Sequence, residues 1–122
     1  MKKILVVEDE LAYVKLLRDQ LASVGYEVLA VYDGKIGLET AIKEKPDLIL
    51  LDIRMPVMDG MAMLKELRED AWGKDVNVIM LTNLDDSANI SNAMEDKILR
   101  YVVKSETTLD SVIDDVKMFL KE

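Results

Sequence analysis

Five short apolar runs alternate along this chain with segments of helical period, and that alternation restricts the fold more than any other feature. The runs are Ile4 to Val7, Val28 to Val31, Leu48 to Leu51, Val76 to Leu81 and Leu99 to Val103. All are of strand length, and the first, β-branched and with no polar face, reads as a strand covered on both sides. Between the first two, Val14, Leu17, Leu21 and Val24 recur at helical spacing, and Gly25 supplies a C-terminal cap. Asp33-Gly34 opens a second helix with Leu38, Ala41 and Ile42 on one face, and Pro46 stops it. A loop from Asp52 to Asp59 contains Pro56, and Met61, Leu64 and Leu67 mark the third helix. Asp85 to Lys97 is a weaker helix with Ile90, Ala93 and Met94 inward. Leu109, Val112, Ile113, Val116 and Leu120 give the last and clearest amphipathic helix. Strand–helix alternation implies a parallel sheet with helices on both faces, because parallel strands need crossovers.

Composition narrows the class further. The 122 residues amount to one domain, and half of them are apolar, enough for an ordinary core. No linker or repeat interrupts the chain, so residues 1–122 are expected to form a single domain. With 16 basic and 24 acidic side chains the formal charge is −8, which argues against direct binding of nucleic acid or an anionic membrane. Cysteine is absent, which excludes disulfides and thiol chemistry and is compatible with a reducing cytoplasm. Histidine is absent too, so this chain holds no phosphohistidine of its own. The apolar start at Ile4 is cut by Glu8-Asp9-Glu10 and is neither a signal peptide nor a membrane span.

In open parallel sheets, ligands sit beyond the carboxyl ends of the strands. There this sequence places Glu8 and Asp9, then Asp52, Thr82 and Lys104. Taken singly, each has an ordinary reading: acids at a helix start, a turn aspartate, a strand threonine, a solvated lysine. If the first, third, fourth and fifth strands are neighbours, all five converge on one cleft. Three carboxylates so gathered would repel unless protonated or bridged by a hard cation such as Mg2+. One ammonium and one hydroxyl in the same cleft suit an anion, phosphate above all.

The chain resembles the receiver domains of bacterial two-component response regulators, and the resemblance runs its whole length. It is carried by Ile4-Leu5-Val6-Val7-Glu8-Asp9-Glu10, by Leu48-Ile49-Leu50-Leu51-Asp52-Ile53-Arg54-Met55-Pro56-Val57-Met58-Asp59-Gly60, by Ile79-Met80-Leu81-Thr82-Asn83 and by Tyr101-Val102-Val103-Lys104. The second motif is highly specific. The resemblance implies a doubly wound, flavodoxin-like α/β fold: five parallel strands in the order 2-1-3-4-5, with five helices on two faces. It implies that Asp52 is the phosphoacceptor. Mg2+, for which Mn2+ or Ca2+ could substitute, would be held by Asp9 and Asp52, by Glu8 through water, and by the backbone carbonyl of Arg54. Lys104 would pair with a phosphoryl oxygen, Thr82 would hydrogen-bond another, and Tyr101 would act with Thr82 as the switch. Gly60 would let the loop turn into the third helix.

The implied partners are a histidine kinase or histidine phosphotransfer protein as donor and a downstream effector protein. The implied output surface is the fourth helix, fifth strand and fifth helix, with a monomer or a weak dimer through that surface. The implied compartment is the cytoplasm. Such a domain is a switch rather than an enzyme. Ala12 and Leu16, outward on the first helix, are expected to dock a kinase helix; phosphotransfer unaffected by Leu16→Glu would remove that idea.

Three features depart from the family pattern. Ser105 replaces the proline that follows the lysine, so a trans peptide or a strained loop is expected after Lys104. Asn83 stands where a small residue is usual and narrows access to Asp52. Arg54 and Leu84, at the two positions that tune hydrolysis, orient attacking water poorly, which implies slow loss of the phosphoryl group. A degenerate receiver serving only as a binding module is the rival reading, although Asp9, Asp52 and Lys104 are all present. An aspartyl-nucleophile hydrolase would want a second acid where Arg54 stands, and a flavin carrier would not place acids after its first strand.

Overall fold

A computed structural model describes residues 1–83 and 97–121. Five parallel strands form one sheet: β1 (Lys3–Val7), β2 (Glu27–Val31), β3 (Leu48–Asp52), β4 (Asn77–Thr82) and β5 (Arg100–Val103). Their order is β2-β1-β3-β4-β5, as the resemblance implies. Four α-helices are described, against five expected: α1 (Leu11–Ser23), α2 (Gly34–Glu44), α3 (Gly60–Glu69) and α4 (Leu109–Phe119). The helix expected over Asp85 to Lys97, with Ile90, Ala93 and Met94, lies outside the described residues, as does Leu84; Lys97 itself is a turn residue with φ 63°.

The strand period sorts the core into two halves. Ile4, Val6, Leu48, Leu50, Ile79, Leu81 and Val102 face one side, where α1 and α4 supply Val14, Leu17, Leu21, Val112, Ile113 and Val116. Leu5, Val7, Ile49, Leu51, Val78 and Met80 face the other, against Ala41 of α2 and Met63, Leu64 and Leu67 of α3. Alternate side chains of a strand point to opposite faces, so one sheet serves both cores. β3 lies at the centre, with all five residues buried, whereas the edge strand β2 is only half-buried. Each side chain sealed into these cores contributes roughly 1.5–3 kcal/mol by leaving water.

The helix starts follow from local chemistry. Asp33 Oδ1 accepts from Ile36 N at 2.9 Å, Asp59 Oδ1 from Ala62 N at 2.8 Å, and Thr108 Oγ1 from Ser111 N at 3.1 Å. Each satisfies one of the donors that a helix start leaves over. Gly25 ends the turn after α1 with φ 107°, a conformation open to glycine at little cost. One inward assignment shifts and one is extended. Val24 is the C-cap of α1 and is 41% exposed, because the helix stops before that face turns inward. On α3 the expected Leu64 and Leu67 are fully buried and Met61 packs against the same core, joined by the fully buried Met63, which was not singled out from the sequence.

Gly60 matters for space rather than for a turn. A Cβ there would lie 2.0 Å from the carbonyl oxygen of Asp52, and its N–H donates to Ile53 O at 2.7 Å. Gly34 is equally tight: a Cβ would lie 2.1 Å from Met58 O, which accepts from Gly34 N at 3.0 Å. Two glycines thus pin both ends of the β3–α3 loop beside Asp52.

Candidate functional site

The two crossovers that leave β1 and β3 diverge to opposite sides of the sheet and open a crevice at the strands' carboxyl ends. The register aligns its walls, with Val7 opposite Leu51, Asp52 opposite Leu81, and Thr82 opposite Val103. Glu8 prolongs β1 by donating its N–H to Val31 O at 3.1 Å. Its Oε2 accepts from Glu10 N at 2.9 Å, which fixes the turn into α1. Glu8 is fully buried and Asp52 is 3% exposed, while Asp9 is open to solvent.

One carboxylate oxygen from each of Glu8, Asp9 and Asp52 lies within 4.8 Å of the others. The Lys104 ammonium enters the same cleft. It pairs with Glu8 Oε1 and lies 3.4 Å from Asp52 Oδ1. Those two oxygens are buried, and among the described residues the Lys104 ammonium is the only partner each has, so one shared cation offsets both. Burial and then the Glu8 charge push the Asp52 carboxyl up to about 7, against the lowering pull of Lys104. For Lys104, burial favours the neutral amine, but the hydrogen bond to Glu8 and the charge of Asp52 outweigh it and raise its pKa. A hard divalent cation fits this donor set, which combines three carboxylates, two of them with buried oxygens that share one ammonium, with an open side at Asp9.

The remaining expected residues are placed as follows. Thr82 is buried at the end of β4, and its Oγ1 donates to Asn83 O at 3.1 Å. Tyr101 is half-buried on β5, packed with the core under α2 and α3. By strand alternation Thr82 and Tyr101 share that face, opposite the α1 face. Arg54 is exposed in the loop after Ile53. No described peptide bond is cis, so Lys104 leads through a trans bond into a single 3-10 turn, Lys104–Glu106.

One residue at the cleft was not singled out from the sequence. The Tyr13 ring lies beneath the Lys104 ammonium, 5.0 Å from ring centre to Nζ. A signal for it existed: Tyr13 stands four residues before the buried Leu17, on the α1 turn nearest the strand ends.

Known proteins resemble this chain in sequence and in fold. The probable transcriptional regulator ycf27 of Cyanophora paradoxa is 41% identical over 103 residues, 84% of this chain and 42% of its own length. The chain therefore spans less than half of that relative. Among solved structures, the chemotaxis response regulator CheY4 of Vibrio cholerae superposes with a TM-score of 0.88 at 27% identity, covering 98% of this chain and 99% of that one. The receiver domain of sensor histidine kinase PA1611 from Pseudomonas aeruginosa, solved with magnesium coordinated in its active-site cleft, gives 0.87 at 27% identity, covering 99% and 98%. No described helix is long and apolar enough to cross a membrane. A family model for the response regulator receiver domain matches residues 4–117, and the chain accordingly belongs to the response regulator receiver domains of two-component signalling.

Proposed function

We propose that this domain is a phosphoacceptor switch in which Asp52 takes a phosphoryl group from a phosphohistidine of a partner kinase or phosphotransfer protein. The observation that carries the reading is the buried Asp52 carboxylate, which shares one ammonium with Glu8 and stands within 4.8 Å of the Glu8 and Asp9 oxygens. An Asp52 oxygen attacks phosphorus in line while the bond to the donor nitrogen breaks. Lys104 neutralises charge on the transferring group. Glu8, Asp9, Asp52 and the Arg54 carbonyl would hold Mg2+, which, when bound, offsets the negative charge of the carboxylates and the phosphoryl oxygens.

Uptake gives an acyl phosphate whose oxygens compete with Asn83 O for the Thr82 hydroxyl. Movement of Thr82 towards Asp52 frees space on the face it shares with Tyr101, and the surface around β5 and α4 repacks for an effector protein. This is a shift between two existing packings, biased by the phosphate's contacts in each. Ala12 and Leu16 are exposed on α1 and are the proposed docking points for the kinase. Arg54 and Leu84 make the acyl phosphate slow to hydrolyse, so the domain holds a state and does not turn over.

The test is a small acyl phosphate donor with Mg2+, read by intact mass. The parent is expected to gain one phosphoryl group, and Asp52→Asn to gain none. Equal uptake by Asp52→Asn sinks the assignment. A parent that takes up nothing with Mg2+ leaves only a protein-binding module.

A further inference from the structure

The Lys104 side chain leaves a short uncapped turn and is hemmed in by its neighbours. Its residue opens a single 3-10 turn whose start carries no side-chain cap. A lysine stem has four rotatable carbons and a compact charge, so nothing local fixes where the ammonium lies. Yet the side chain is only 10% exposed. Two carboxylates draw it, with Glu8 the closer. The third neighbour is Tyr13, whose ring centre is 5.0 Å from Nζ, inside the roughly 6 Å over which a ring face attracts a cation.

Tyr13 is well placed to act as a wall. It is half-buried and packs with the core beneath α1, so its ring cannot swing freely. Burial raises the phenol's pKa, so the ring stays neutral under the cation. Continuing the strand alternation, Glu8, Asp52 and Lys104 belong to the face that carries Val6, Leu50 and Val102, which is the α1 face. An aromatic on the first turns of α1 is therefore the group that closes this side of the cleft.

We propose that Tyr13 is a positioning residue: its ring face holds the Lys104 ammonium, shielded from water, against Glu8 and Asp52, where a phosphoryl group on Asp52 meets it. The proposal rests on Asp52 being the acceptor, but its test does not rest on that alone. Lysine-labelled protein is examined by NMR, with the Lys104 ε-methylene signal assigned by its loss in Lys104→Arg. Protons over a ring face are displaced upfield. The parent and Tyr13→Phe are expected to show that displacement, and Tyr13→Met to lose it. In parallel, Tyr13→Met is expected to slow uptake from the acyl phosphate donor about fivefold, within what a desolvated cation–π contact supplies, with Tyr13→Phe restoring most of the rate.

A folded Tyr13→Met that keeps both the parental shift and rate overturns the proposal. So does Tyr13→Phe falling as far as Tyr13→Met, which would assign the effect to the hydroxyl. If Tyr13→Met does not fold, the parental ε-methylene shift decides: absence of the upfield displacement overturns the contact, and its presence there and in Tyr13→Phe supports it. If the parent takes up no phosphate, the acceptor reading fails by itself while the shift still decides what Tyr13 holds.

Discussion

The two ends of the sheet treat charge in opposite ways. At the amino end, Lys3 donates its N–H to Asp47 Oδ2 at 2.7 Å and its ammonium to Glu44 Oε1 at 3.1 Å. Nearby, Arg68 donates to the carbonyls of Gly73 and Val76, each at 2.8 Å, and of Lys97 at 2.9 Å. These groups are partly wet and find acceptors of good geometry. At the carboxyl end, Glu8 Oε1 and Asp52 Oδ1 are buried and, among the described residues, lean on one lysine alone. Buried polar atoms in native proteins are normally satisfied, so two buried oxygens sharing a single cation at one rim mark a place where stability is given up for a ligand. The amino end fastens the fold, and the carboxyl end, on the function proposed above, is completed by a cation and a phosphoryl group.

The largest test of that contrast removes one lysine at each end. Lys104→Met leaves two buried carboxylates without a counter-charge. It is expected to cost about 3–5 kcal/mol in urea unfolding at pH 8 without divalent cation, the range for breaking a buried pair. Added Mg2+ should recover much of the loss. Lys3→Met breaks a pair whose members are 26% and 33% exposed, and should cost no more than about 1 kcal/mol. Equal costs at the two ends would erase the distinction.

Asp52 gives a smaller effect of opposite sign. Its carboxyl titrates near 3.8 when unfolded and at about 7 in the folded chain. Between those values the folded state keeps a proton that the unfolded state has released, so this group's contribution to stability falls as pH rises through the window. Above about 7 the folded protein carries the full cost of a dry carboxylate. Asp52→Asn should therefore remove the slope and stabilise the cation-free protein at pH 8 by about 1–3 kcal/mol, less than the whole shift because Lys104 loses a partner. Saturating Mg2+ should narrow the gap between parent and variant. The check is urea unfolding of both at pH 5 and pH 8, with Mg2+ or a chelator. A parent no less stable than Asp52→Asn at pH 8 would show that Asp52 is not strained by its surroundings.

The contrast between the two ends was half legible in the sequence. The run from Leu48 to Leu51 has no polar member, and only a central parallel strand buries every residue, so β3 was readable as central, while its order beside β1 came from the family resemblance. The acids after β1 and β3 and the lysine after β5 were readable as a cluster because strand ends fix where side chains lie. How deeply each is buried was not readable: Glu8 and Asp9 are neighbours, yet one is sealed and the other open. The Tyr13–Lys104 contact joins elements 91 positions apart in the sequence, and no local period reports it. The same holds for Gly60, whose cause is a carbonyl across the loop rather than its own dihedral angle. Met63 went unnamed because a helix face drawn from Met61, Leu64 and Leu67 leaves its width open by a fraction of a turn.

The smallest predicted effect compares left-handed residues at the two ends. Val57 sits at φ 69° in the β3–α3 loop, 80% exposed, and Lys45 at φ 48° caps the end of α2. An L-residue in this region costs roughly 1–2 kcal/mol, and a β-branched one is the more strained. Glycine removes that strain but loses roughly 0.5–1 kcal/mol of unfolded-chain entropy. Val57→Gly should thus stabilise the protein by about 1 kcal/mol, and Lys45→Gly, at an unbranched capping residue, by about half as much. Nothing packs over Val57 to compensate the change, since it is exposed, whereas the loop's ends stay fixed by the Gly60–Ile53 and Gly34–Met58 hydrogen bonds. Unfolding midpoints of the two variants against the parent decide it. A gain at Val57 no larger than at Lys45 would mean that backbone strain is spread over both ends of the sheet and that only the charges distinguish the rim around Asp52.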